Sequence, residues 1–162
     1  MRRALFGALA GTCATMAMTA AMRRLHRALP ADQRYPLPPR EITSRTLPAP
    51  DARSATTAAI LAHFGFGALA GAVYGCLPRP RPAGFVYGPA VWAVSYLGWV
   101  PAGRILAPAD DHPGRRNALM LLVHVVWGTV LSVALDELNK AAEGGFGPGR
   151  SLDAEPQEAK DG

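Results

Sequence analysis

The chain has 162 residues, 49% of them hydrophobic and only 18% charged, and it carries a net charge of +5. That length suits one domain, and two cysteines, Cys13 and Cys76, make no disulfide framework. The arginines flank apolar runs, so the excess charge points to a membrane surface and not to nucleic acid. No phosphate-binding loop, catalytic triad or dinucleotide fingerprint is present.

Where the charges sit decides the class. No Asp, Glu, Lys or Arg falls within 4–22, 55–77, 83–103 or 117–135, windows that together cover half the chain. A helix needs about 20 apolar residues to cross a hydrocarbon core roughly 30 Å thick, and each window is about that long. A helix facing water would show a polar side, and none of these does. So short a chain has no outer layer with which to cover four helices that are apolar all round. The expectation is an all-α membrane protein: a four-transmembrane-helix bundle over 1–138 and a disordered polar tail over 139–162. A multi-pass membrane protein is expected, with the lipid bilayer as its first partner.

The first window follows Met1-Arg2-Arg3 and so has the start of a secretory signal. Its apolar run is longer than a signal core of about 7–15 residues, and Arg23-Arg24 follows at once. The expectation is an uncleaved span whose helix continues out of the membrane through Leu29. The first connection, 23–54, holds seven arginines and is rich in proline. Within it, Pro36, Pro38 and Pro39 predict that YPLPPRE is a stiff, extended polyproline strap. The second window stops at Pro78, Pro80 and Pro82. The third ends at Gly103-Arg104 and Pro108, and PADDHPGRRN leads into the fourth.

FGALAG occurs at 6–11 and again at 66–71. Between helices in lipid, close approach through small residues replaces the hydrophobic drive. Gly7 and Gly11 form one such row, Gly67, Gly71 and Gly75 a second, and Gly84 and Gly88 a third. Gly128 stands four residues after His124, as Gly67 stands four after His63. Both copies are expected to be helix-packing faces. A duplicated hairpin is the competing account, although it would place FGALAG in windows one and three.

His63 and His124 are the groups inside the windows that titrate near neutrality, and polar residues in membranes are candidate sites. The second and fourth windows run in the same direction, which sets both histidines at one depth. The plainer expectation is that each is neutral and bonded across a helix interface. Glu41, Asp110, Asp111 and His112 form a candidate loop site nearby, but no metal-ligand spacing is present. Gly88, Trp92, Tyr96 and Trp99 make an aromatic stripe, expected to be packing more than the wall of a ligand cavity.

LPPRE at 37–41, AHFGFGALAGAVYG in the second window and VHVVWGTVLS in the fourth give the chain a resemblance. It resembles the YagU-like family of small, uncharacterised bacterial inner-membrane proteins across most of 1–138. The resemblance implies a polytopic membrane protein and supplies no catalytic residues. The functional expectation is a non-enzymatic scaffold or partner subunit without a cofactor, assembling through its glycine faces as a homo-oligomer or with another membrane protein. The alternative is a small oligomeric pH- or proton-linked transporter or channel using His63 and His124. An intramembrane enzyme built on His112 or His124 beside Asp110 and Asp111 ranks last.

Overall fold

A computed structural model describes residues 1–31, 34, 38–47, 49–78, 80–105 and 114–145. Every element among them is a helix. Three are long and apolar enough to cross a membrane: α1 (Arg2–Ala28), α3 (Ala52–Cys76) and α6 (Gly114–Lys140). Large apolar side chains point outward from them, Leu69 at 65% exposure, Leu61 at 67% and Val133 at 57%. Such a surface is stable against hydrocarbon and costly against water.

The third window is helical from end to end but not uniform. It comprises α4 (Gly84–Ala93), a π-helical stretch over Val94–Trp99 and the single turn α5 (Val100–Ala102). Pro89 and Pro101 lie in this stretch and lack the N–H that an α-helix passes to the carbonyl four residues back. Wider π bonding takes over near the second proline, where the Val100 N–H bonds the Ser95 carbonyl. The end is closed by Ile105 N–H to Val100 O at 3.0 Å and Arg104 N–H to Pro101 O at 2.9 Å. Arg104, and not the neighbouring Gly103, takes the left-handed conformation at φ 54°, the position that such a helix end requires.

The proline-rich strap is corrected. Pro38–Thr46 is a helix, α2, and its two prolines occupy the first turn, where no intrahelical N–H is needed. Glu41 also lies in that first turn, where a negative charge suits the helix dipole. Tyr35–Leu37 lie outside the described residues. The chain also stays ordered past the expected start of the tail, with α6 reaching Lys140 and a π turn following over Ala141–Gly145. Residues 146–162 lie outside the described residues.

The helices stand in the order α3, α1, α6, α4, with α1 and α6 central. The two FGALAG copies pack on each other. A Cβ added to Gly7 would strike the Gly71 carbonyl, one on Gly11 the Gly67 carbonyl, and one on Gly75 the Arg3 carbonyl. These pairings run antiparallel. On the other side, a Cβ on Gly84 would meet the Gly128 carbonyl, and one on Gly88 the His124 carbonyl. Backbones this close allow Cα–H to carbonyl contacts, each worth about 0.5–1 kcal/mol. Between the two pairs, Ala10, Ala14, Val123 and Leu131 are fully enclosed.

Candidate functional site: a cavity under α2

A cavity of about 300 Å³ lies among α1, α3, α4, the π-helical stretch and α6. Its walls are largely apolar and aromatic, including Met18, Phe66, Trp92, Tyr96, Trp99 and Trp127. The polar groups that reach it include His63, His124, Thr15 and Ser95. Both histidines therefore line one space, at the common depth that the parallel course of α3 and α6 implies. The aromatic stripe also lies on this space, because Trp92, Tyr96 and Trp99 are wall residues. Packing alone does not describe it, although Trp92 and Tyr96 do stack, 6.0 Å apart and 13° from parallel.

The π-helical stretch explains how one short segment contributes so much wall. Ser95, Tyr96 and Trp99 all reach the cavity from it, since a π turn packs more residues into each revolution than an α turn. Aromatic contacts bridge α3 and the third window. Phe66 meets Trp99 at 6.4 Å, and Tyr87 meets Tyr74 at 4.8 Å while its hydroxyl donates to the Ala70 carbonyl at 2.8 Å.

Hydrogen bonding assigns both imidazoles. The Thr19 hydroxyl donates to the Thr15 carbonyl at 2.7 Å, so its oxygen is an acceptor for His63 Nε2–H at 3.3 Å. The Met120 carbonyl can only accept, so His124 Nδ1–H donates to it at 2.7 Å. In the neutral rings, His63 Nδ1 and His124 Nε2 are then acceptors with no further hydrogen bond among the described residues. The expected cross-interface bond is present for His63, while His124 bonds within its own helix.

One end of the cavity is capped by α2 through Pro38, Pro39, Ile42 and Thr43. Polar attachments among the described residues hold it there. Glu41 pairs with Arg116, which is 5% exposed. Arg45 Nη1 donates to the Ile105 carbonyl at 2.8 Å, and Arg40 Nη1 to the Thr56 hydroxyl at 2.8 Å. Ile42 packs on the pair Tyr96 and Val100. Glu41 thus serves as an anchor for the cap, while its proposed neighbours Asp110, Asp111 and His112 lie outside the described residues.

Sequence reasoning passed over Thr15, Met18, Met120 and the cap itself. The cap had a usable signal in Pro-Pro followed by Arg-Glu-Ile-Thr, a helix start with proline in its first turn. The methionines had none, because an apolar residue in an apolar window carries no mark of which way it faces. No family model, curated protein or solved structure matches the chain.

Proposed function

We propose that this chain is a non-enzymatic, multi-pass protein of a bacterial cytoplasmic membrane that holds a small, mainly apolar molecule in the cavity under α2. The observation that carries the reading is the cavity itself, about 300 Å³, at the lower end of the usual range for ligand sites of about 300–1,000 Å³. The two unspent imidazole nitrogens favour a molecule carrying a hydrogen-bond donor such as a hydroxyl. Four crossings belong to this proposal, the third made by Gly84–Ala102, which at about 1.5 Å per residue nearly matches a hydrocarbon core of roughly 30 Å. Outward Val94, Leu97 and Phe85 support that placement. Kinship with YagU-like proteins is part of the same proposal and rests on the sequence stretches that carry the resemblance.

Assembly with a partner through the glycine rows is a weaker reading. Gly7, Gly11, Gly67, Gly71, Gly75, Gly84, Gly88 and Gly128 already face backbone or side chains of this same chain, so a partner would have to displace an internal helix. Proton-linked transport is the second reading, favoured by two histidines on one cavity.

The direct experiment is to extract and identify what co-purifies with the full chain from its native membrane. The same extraction is made from Ser95→Phe, which fills the cavity. A molecule present with the native chain and lost with Ser95→Phe supports the reading; equal recovery from both, or none from either, sinks it. Topology is checked separately by labelling single cysteines introduced at Asp32, Arg79, Asp111 and Ser151 in a chain lacking Cys13 and Cys76. Four crossings require labelling to alternate between the two sides.

A further inference from the structure

A second recess, of about 680 Å³, opens at the far end of the bundle, where α3 turns into α4. Its residues include Tyr74, Arg81, Phe85, Thr129, Ser132 and Asp136. It shares no lining residue with the cavity under α2. Among the described residues one cation and one carboxylate therefore face the same space, yet Arg81 and Asp136 form no ion pair with each other.

Arg81 is held in place but not used up. Its Nη2 donates to the Gly75 carbonyl at 2.9 Å, and its guanidinium lies 5.8 Å from the centre of the Tyr74 ring. Its Nε is buried with no hydrogen-bond partner among the described residues. On the opposite wall, the Thr129 hydroxyl spends its hydrogen on the Val125 carbonyl and the Ser132 hydroxyl on the Thr129 carbonyl. Both oxygens are left as acceptors, beside the carboxylate of Asp136. One wall thus offers a cationic donor, and the other offers acceptors with a negative charge.

On the membrane-spanning reading proposed above, a bilayer lipid supplies a group of matching polarity at the helix ends. A phosphate suits the guanidinium, and an ammonium with three N–H donors suits a carboxylate flanked by two hydroxyl oxygens. Phe85, 59% exposed at the edge of the recess, offers apolar surface to the chains below the headgroup. We infer that this recess binds the zwitterionic headgroup of a phosphatidylethanolamine-type lipid, with phosphate on Arg81 and the primary ammonium on Asp136, Ser132 and Thr129. A quaternary ammonium has no N–H to give, and an anionic headgroup would meet Asp136 unfavourably. Selection among headgroups follows from that chemistry.

The full chain in detergent is titrated with phosphatidylethanolamine, phosphatidylcholine and phosphatidylglycerol of identical acyl chains, and bound lipid is counted by native mass spectrometry. The expected preference for the ethanolamine lipid is about tenfold over either competitor, the ratio a single well-made polar contact supports. Asp136→Asn, at an exposed position, should bring the ethanolamine lipid down to the choline lipid while the fold is kept. Arg81→Lys, which keeps charge but loses the fork, should weaken all three. Equal binding of the three lipids overturns the inference, as does preference for phosphatidylglycerol or an Asp136→Asn chain with unchanged selectivity. Soluble phosphoethanolamine that binds as tightly as the lipid would also overturn it, because it would leave the acyl chains without a role.

Discussion

The indole N–H of Trp127 donates to the hydroxyl of Thr15 at 3.1 Å, across 112 positions of sequence. That hydroxyl in turn donates to the Gly11 carbonyl at 2.8 Å, and it fills the space a Cβ on Gly67 would need. Thr15 therefore joins α1, α3 and α6 at one point beside the cavity. Thr15→Val keeps the shape and strands the indole donor. The expected loss is about 1–3 kcal/mol, the usual cost of a buried donor without a partner, read as a lower unfolding temperature in detergent. Thr15→Ser should recover most of it; equal stability of Val and Ser variants would count against the bond.

The glycines divide sharply by position. Gly11→Leu should separate α1 from α3, since even a Cβ there collides with the Gly67 carbonyl. Loss of a disulfide crosslink engineered between the two helices is the readout. Gly65 and Gly98 have nothing within 4 Å of an added Cβ. Gly65→Ala should therefore be tolerated and gain up to about 1 kcal/mol from helix propensity, measured by thermal unfolding.

One charge pair among the described residues ties the cap to α6. Glu41→Gln leaves the enclosed Arg116 guanidinium facing a neutral amide, and breaking such pairs typically costs about 3–5 kcal/mol. The Glu41 side chain is 21% exposed, so solvent screening should bring the loss to the low end of that range or below it. A cysteine introduced at Thr43, on the buried face of α2, should label slowly in the native chain and rapidly in the Glu41→Gln chain. Unchanged labelling would show that Arg45 and Arg40 hold the cap without it.

Asp51 caps the N-terminus of α3 by accepting from the backbone N–H groups of Ser54 and Arg53 and from the Ser54 hydroxyl. These bonds, the Ser54 backbone bond first, hold its carboxyl below the ordinary value of 3.8. Because the folded group is the stronger acid, its contribution is complete above that ordinary value and disappears as pH falls through the depressed one. Amide exchange at Arg53 and Ser54, normalised for its intrinsic rate, should accelerate below about pH 4, where carboxylates protonate, and Asp51→Asn should remove most of that dependence.

Charge segregation marked the apolar helical windows, three of which lie in helices long and apolar enough to cross a membrane, because hydrocarbon excludes charge over a length that any reading of the chain can measure. The glycine rows were legible too, since small residues at helical spacing matter only where backbones meet. What sequence periodicity did not determine was the partner of each row, and the antiparallel contact of the two FGALAG copies came from the order in which the helices stack. The same holds for the two histidines: their common depth followed from counting residues, whereas their sharing a cavity depended on the π-helical stretch and the cap. Pro38 and Pro39 permit either an extended strap or a helix start, and the choice was made by contacts from distant parts of the chain, Arg116 on Glu41 and Tyr96 on Ile42. Local chemistry thus set which segments are apolar and long enough to cross a membrane. Tertiary packing alone decided which faces are consumed and which enclose a space.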